Sequence, residues 1–274
     1  MPELPEVETI VRGLSKTIIN QTIDGLYLNA PKIDADNFSG WLDIIKGKTF
    51  RAVRRRGKNI LFDLSDGYTL WVHLRMTGHF RNLPRDMPIG KHDLMIFNFK
   101  NNSHSLRFND YRRFGRLRLF KTDEVMLQKG LVDLGPEPLE VSRGDFVRLC
   151  RSSSRMIKPA LLDQTFIAGL GNIYSDEALY VMRIHPRKST GGIQKRKLGD
   201  LHGVIQELLR RSIRLMGTTV DTFAGINGRT GRFQRYLQVY GREGDACGRC
   251  GAIIRRVKVG SRSARFCPRC QRLR

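Results

Sequence analysis

Four cysteines near the end of the chain carry the sharpest chemical signal. Cys247, Cys250, Cys267 and Cys270 are spaced as C-x2-C, sixteen residues, then C-x2-C. Each C-x2-C turn aims two thiolates at one point, and two such turns complete a tetrahedron of the kind zinc prefers. In a reducing compartment paired cysteines of this spacing are metal ligands more often than disulfides. A redox dithiol is the competing reading, and two matched pairs argue against it. A tail of about 45 residues has too little apolar surface to fold alone, so one structural Zn2+ would supply much of its stability. Sulfur fills all four positions, which leaves no open site for catalysis. Cys150 stands apart and reads as a small buried hydrophobe.

The other end of the chain offers a nucleophile. It opens Met1-Pro2-Glu3-Leu4-Pro5-Glu6, and an initiator methionine is usually trimmed before a small residue. That processing would leave Pro2 with a free secondary amine, whose reference pKa near ~8 lies far below the ~10.4 of lysine. An unprotonated amine can attack an electrophilic carbon and form an iminium. Glu3, next to it, is of a type that can give or take the proton. The plainer reading is a common Met-Pro start in which Glu3 and Glu6 decorate a helix.

Other constellations suit a polyanion. Arg54-Arg55-Arg56-Gly57-Lys58-Asn59 precedes an apolar run, and Gly57 permits a tight turn that projects Lys58. A solvated hairpin is the alternative. His73-Leu74-Arg75-Met76-Thr77-Gly78 and Asp110-Tyr111-Arg112-Arg113-Phe114-Gly115 each set a long apolar side chain beside an arginine and a turn glycine. Met76 and Phe114 are then candidate wedges for a base stack, with core packing as the default for either alone. In Ala168-Gly169-Leu170-Gly171-Asn172, glycines would let the amides of a following helix approach a phosphate, and Asn172 would cap that helix or touch DNA. Between the cysteine pairs, Arg262 lies in Gly260-Ser261-Arg262-Ser263, where a metal-held hairpin could deliver it to a phosphate or a groove.

The elements that must position these residues follow from periodicity. Val7, Ile10, Val11, Leu14 and Ile18 predict an amphipathic helix over 6–20, its positive end beside Pro2 and Glu3. Residues 22–120 read as short strands, among them Asn59–Leu64, Thr69–Leu74, Leu94–Phe99 and Arg116–Phe120, and so as an antiparallel sandwich. After Gly135-Pro136-Glu137-Pro138 the pattern turns helical: Arg155–Thr165, a Gly169-Leu170-Gly171 turn, Asn172–Met182, then 200–216 stopped by Gly217. Thr218–Phe233 reads as a mobile loop, and Leu237–Tyr240 and Ile253–Val259 as strands of the cysteine module.

Composition narrows the partner. Among 274 residues, Lys and Arg number 49 against 26 Asp and Glu, a formal net charge of +23. Residues 229–274 carry thirteen Arg or Lys but only Glu243 and Asp245 as acids. Such an excess points to nucleic acid. No apolar run approaches the ~18–20 residues of a membrane span, and no signal peptide is visible. The expected location is the cytoplasm, or the nucleoid of a bacterium.

Together these segments resemble the formamidopyrimidine-DNA glycosylase family. The likeness covers essentially the whole chain, in family order: PELPEVET, RRGKN, HLRMTG, DYRRFG, LGPEPL, GLGNIYSDE, LQVYGREG and the paired C-x2-C. It implies an α+β multidomain protein: an N-terminal antiparallel β-sandwich with a leading helix (1–130), a helical domain with a helix–two-turns–helix element (131–228) and a C-terminal zinc finger (229–274). It implies a base-excision enzyme acting on double-stranded DNA that contains oxidised bases; nothing in the chain suggests a dimer interface, and a monomer is expected. That enzyme would remove 8-oxoguanine and formamidopyrimidines and cleave the strand by β,δ-elimination.

By motif position Pro2 is the nucleophile on the deoxyribose anomeric carbon and Glu3 the acid/base that opens the sugar. Lys58 donates a proton in β-elimination, and Arg262 serves δ-elimination and phosphate contact. His92, Arg112 and Asn172 fall at DNA contacts, and Lys158 and Arg155 are further candidates for DNA binding. Met76, Arg112 and Phe114 fill the gap left by the everted nucleotide, and the loop around 218–233 closes over the damaged base. One departure is Arg151-Ser152-Ser153-Ser154-Arg155, where relatives carry a lysine-rich run. Ser153 lacks the usual lysine contact, and Arg151 or Arg155 are the candidates to replace it.

Two rival readings remain open on the sequence. An endonuclease VIII-like enzyme would share fold and mechanism but take oxidised pyrimidines. A non-catalytic zinc-ribbon nucleic-acid-binding protein would not need a processed Pro2.

Overall fold

A computed structural model describes residues 1–29, 38–219, 226 and 230–273, with backbone alone at Phe38, Ser39, Trp41 and Leu42. The chain divides into two compact units, one comprising 1–132 with 215–232 and the other 133–214 with 233–274.

The first unit opens with helix α1, Leu4–Ile18. It starts two residues before the predicted boundary because Glu3 and Glu6 form a reciprocal capping box, with Pro5 in the first turn. Leu4, Val7, Ile10, Val11, Leu14 and Ile18 form its buried face. Among the described residues eight strands follow: β1 Ile23–Leu28, β2 Phe50–Arg56, β3 Asn59–Leu64, β4 Tyr68–His73, β5 His79–Pro84, β6 Asp93–Phe99, β7 His104–Asn109 and β8 Arg116–Lys121. A short helix α2, Phe38–Ile45, precedes β2.

The strands make two antiparallel four-stranded sheets, ordered β1-β6-β7-β5 and β2-β3-β4-β8. Their inner faces and α1 share one apolar core, as the expected sandwich requires. Phenylalanines fill it: Phe50 meets Phe62, Phe97 and Phe99 edge-on at 5.7–6.1 Å, and Phe80 lies against Phe62 and Phe108. Edge-to-face contacts suit the ring quadrupole, so the rings gain more than area burial alone.

The second unit is helical, with α3 Arg143–Arg151, α4 Ile157–Leu162, α5 Asn172–Val181 and α6 Lys195–Arg214. Ser142 caps α3 by accepting from the Asp145 amide at 3.0 Å. Helix α4 is shorter than the predicted 155–165, because Asp163 leaves the helix and turns its carboxylate onto the Thr165 amide and hydroxyl. Gly217, at φ +82°, sits just beyond α6 as predicted.

A hairpin of β9, Arg255–Val259, and β10, Arg262–Phe266, closes the chain. The predicted strand Leu237–Tyr240 is not one. Its amides instead donate to a single carboxylate, Glu177, from Gln238, Val239 and Tyr240, each at 2.9 Å. A buried acid has taken the place of a neighbouring strand. Of the predicted 218–233 loop, residues 220–225 and 227–229 lie outside the described residues. No described helix is long and apolar enough to cross a membrane.

Candidate DNA-lesion site

In the first unit, the N-terminal segment is held by its own helix. The Glu3 amide donates to Glu6 Oε2 at 2.8 Å, and Glu3 is buried while Pro2 is half-buried. Glu6 Oε1 also accepts from the Thr218 amide at 2.8 Å. One buried carboxylate therefore fixes both the Pro2–Glu3 segment and the backbone at Thr218. Gly217 lies against it, and a Cβ there would come within 3.0 Å of Glu6 Oε1. In the sequence Glu6 looked like a helix ornament, because its second partner lies 212 residues away.

The β2–β3 turn follows the predicted geometry. Gly57 takes φ +56° at the first of two loop positions, and Lys58 follows it, buried. Arg55 bonds the Gly57 carbonyl at 3.0 Å and Glu8 Oε2 of α1 at 3.0 Å, so the turn is tied to the helix that begins at Leu4. Asn59 bonds the Arg56 carbonyl at 3.0 Å and accepts from the Trp71 indole at 2.8 Å. His73 pairs with Asn59 across β3–β4, and its Nδ1 accepts from the Arg75 amide at 3.0 Å. Burial first, then the charges of Arg75 and Lys58, push its imidazole down to about 4. It is neutral at neutral pH, in a cluster already rich in cations.

The two wedge motifs form turns on one base. Met76 is 44% exposed and Phe114 52% exposed. The exposed Arg112 holds its guanidinium 4.9 Å from the Phe114 ring centroid. Core packing, the default for a lone Met or Phe, is thereby excluded for both. His92 is half-buried, its ring edge-on to Tyr111 at 6.5 Å and its Nδ1 buried without a hydrogen-bond partner.

In the second unit, Asn172 opens α5 after Gly171, and its Oδ1 is buried without a donor. Lys158 requires a correction. Its side chain is fully buried, and Nζ donates to the Asn172 carbonyl at 3.0 Å, Ser175 Oγ at 2.8 Å and Asp176 Oδ1 at 2.6 Å. An ammonium with three internal acceptors and no exposed surface braces the Asn172 turn and is not a phosphate ligand. Asp176 Oδ2 in turn accepts from the Arg265 amide in β10 at 3.1 Å, which links the α5 start to the cysteine hairpin. Burial raises the Asp176 carboxyl to about 6, with Lys158 opposing the shift. Arg155 pairs with Asp163 at 2.7 Å and lies over Phe166, and Arg151 bonds the Gly191 carbonyl at 2.7 Å, so both carry local contacts.

Arg262 is exposed at the first position of β10, after Gly260 at φ +63°. Below it, the four cysteine sulfurs lie within 4.8 Å of one another. Tetrahedral zinc at ~2.3 Å from each sulfur requires S···S separations of about 3.8 Å. Cys250–Cys267 at 3.4 Å, Cys250–Cys270 at 3.5 Å and Cys247–Cys270 at 4.0 Å bracket that value, so the residues fit a structural zinc. The Tyr180 hydroxyl reaches Cys247 Sγ at 3.3 Å, with Arg249 stacked 4.3 Å over its ring. These groups suit a thiolate that must stay charged.

Comparison with known proteins identifies the family. Residues 1–117 match the formamidopyrimidine-DNA glycosylase N-terminal domain, 134–224 its H2TH domain, and 244–273 a zinc finger found in FPG and IleRS. The formamidopyrimidine-DNA glycosylase of Pelotomaculum thermopropionicum is 45% identical over 277 residues, covering 100% of both chains. The Lactococcus lactis FPG mutant solved with Fapy-dG containing DNA superposes with a TM-score of 0.93 at 39% identity, covering 99% of this chain and 100% of that one. Wild-type Lactococcus lactis Fpg solved with oxidised-pyrimidine DNA gives 0.92 at 39%, with the same coverage. Three consecutive domain matches and identity sustained from end to end leave one assignment: the chain belongs to the formamidopyrimidine-DNA glycosylase family.

Proposed function

We propose that this chain is a bifunctional DNA glycosylase and AP lyase that removes oxidised purines from double-stranded DNA. The observation that carries the reading is the buried Glu6 carboxylate, which holds the Pro2–Glu3 segment at the head of α1. Once Met1 is removed, the Pro2 nitrogen attacks C1′ of the damaged nucleotide. The glycosidic bond breaks, Glu3 shuttles the proton as the sugar opens, and the nitrogen lone pair forms the iminium. That cation acidifies the C2′ proton, whose loss expels the 3′ phosphate. Lys58 is assigned the proton donation in this step, and Arg262 the contact with the phosphate that leaves in δ-elimination.

Met76, Arg112 and Phe114 fill the gap, and His92 and Asn172 hold the backbone, because a stacked base must leave the helix before an amine can reach its sugar. Zinc, when bound, shapes the hairpin that carries Arg262. The net charge of +23 supports DNA as the polyanionic partner, and the proposed working form is a monomer in the cytoplasm, associated with the nucleoid. Modules at 1–130, 131–228 and 229–274 are the proposed functional divisions.

Borohydride trapping on an 8-oxoguanine duplex tests this. A covalent adduct at Pro2 is expected, and none with Pro2→Gly or with Met1 retained; an adduct that survives Pro2→Gly sinks the mechanism. The oxidised-pyrimidine complex of the Lactococcus lactis relative favours a second reading, in which pyrimidine lesions are also taken. Parallel duplexes with each lesion measure the preference.

A further inference from the structure

Met76 and the Arg112–Phe114 pair lie on turns more than thirty residues apart, and one carboxylate joins them. Asp110 is fully buried. Its Oδ1 accepts from the Thr77 hydroxyl, next to Met76, and from the Arg112 amide at 3.2 Å. Its Oδ2 accepts from the Gly115 amide, next to Phe114, at 2.7 Å. Its own amide donates to the His92 carbonyl at 3.0 Å, and its carbonyl accepts from the Arg113 amide at 3.2 Å. The turns that carry Met76, Arg112 and Phe114, and the half-buried His92, therefore converge on this one residue.

We propose that Asp110 is a positioning residue that presets Met76, Arg112 and Phe114 as a single rigid wedge; this rests on the glycosylase reading above. Two further features of the same site agree. Arg75 and Arg113, one in each turn, hold left-handed backbone at φ +55° and +57°. A non-glycine residue is strained there and stays only where its surroundings dictate it. Gly78 and Gly115 both lie on the Phe108 ring, where a Cβ would come within 2.8 and 2.6 Å of it. Both turns are thus seated on the same ring of the core.

A wedge made of loose loops would have to be ordered at the moment of insertion, at an entropic cost for every backbone residue fixed. Unstacking a base step is itself a cost. A wedge fixed in advance by Asp110 meets only the second cost, so its tie to Thr77 should govern base eversion and not the later lyase chemistry.

Thr77→Val cuts the Met76 arm and leaves the Gly115 arm intact. Thr77→Ser keeps the hydroxyl. Stopped-flow fluorescence of 2-aminopurine beside 8-oxoguanine in duplex reports eversion. Borohydride trapping on a single-stranded abasic oligonucleotide reports the chemistry without eversion. We expect Thr77→Val to slow the duplex step about tenfold, as for a lost hydrogen bond to a charged group. The same variant should slow single-strand trapping at least fivefold less, and Thr77→Ser should restore the duplex rate. In a Met76→Ala background, Thr77→Val should change the duplex rate less than twofold, since the side chain it positions is gone. Asp110→Asn, which sets an amide donor against these donors, should exceed Thr77→Val on the duplex. Equal slowing of both reactions, or additive effects of Thr77→Val and Met76→Ala, overturns the proposal. Wild-type protein that forms no abasic adduct would overturn the glycosylase reading first, and the wedge with it.

Discussion

The Lys58 turn and the Arg262 turn are both tight hairpins with a glycine at positive φ, and they are held by different physics. Lys58 stands on a core of six buried phenylalanines shared by two sheets and a helix. The cysteine turns that flank the Arg262 hairpin belong to a small cluster whose buried members are Tyr180, Val239, Ile254 and two of the cysteines themselves. The first turn is secured by apolar burial, which scales with the size of the unit. The second lacks that area and is closed by four sulfurs on one ion. A metal supplies stability there that a core of this size does not.

Removing the metal separates the two supports most widely. Chelation should unfold the cysteine hairpin, seen as new protease cleavage within 247–270, and weaken duplex binding at least ~100-fold, since structural zinc contributes on the order of 10 kcal/mol. The first unit's thermal transition should stay where it was. Metal-free protein that keeps its hairpin and binds tightly would erase the contrast.

Phe50→Ala is the reverse experiment. It should cost the first unit about 3–5 kcal/mol in denaturant titration while one zinc per chain stays bound. Next in size is acid. His73 binds a proton at its ordinary pH when unfolded but only near 4 when folded. The unfolded state therefore holds more protons between those values, and stability falls as pH drops from about 6.5 to 4. The slope is at most about 1.4 kcal/mol per unit. His73→Asn should flatten that part of the stability–pH curve. Smallest is Arg262→Ala, expected to change stability by less than ~0.5 kcal/mol because the side chain is exposed. It should still reduce the salt dependence of binding by about one phosphate contact. A large loss of stability there would mean that the arginine holds the hairpin and is not merely carried by it.

Local patterns in the chain carried far. The C-x2-C pairs, the Gly57 turn, the strands at Asn59–Leu64 and Arg116–Phe120 and the helix from Asn172 all rest on neighbours within a few residues, so spacing alone exposed them. Lys158 misled because a lysine reads as a surface charge until its acceptors are seen, and these lie 14 to 18 residues away. The Leu237–Tyr240 amides misled for the same reason: an apolar alternation predicts a ladder, and Glu177 satisfies the amides from 61 to 63 residues upstream. An aspartate that opens a turn, as Asp110 does, is a visible local signal. That its carboxylate also reaches Thr77 is not.

Sequence by itself determined the zinc ligands, the nucleophile candidate, the polyanion partner and the alternation that makes a sandwich, since each depends on residue type and short spacing. Tertiary structure alone decided which buried charges act as braces. Glu6, Asp110, Lys158, Asp176 and Glu177 each sit where water is excluded, and a buried charge persists only where several donors or acceptors converge on it. That convergence is assembled from distant segments, so no stretch of the chain announces it.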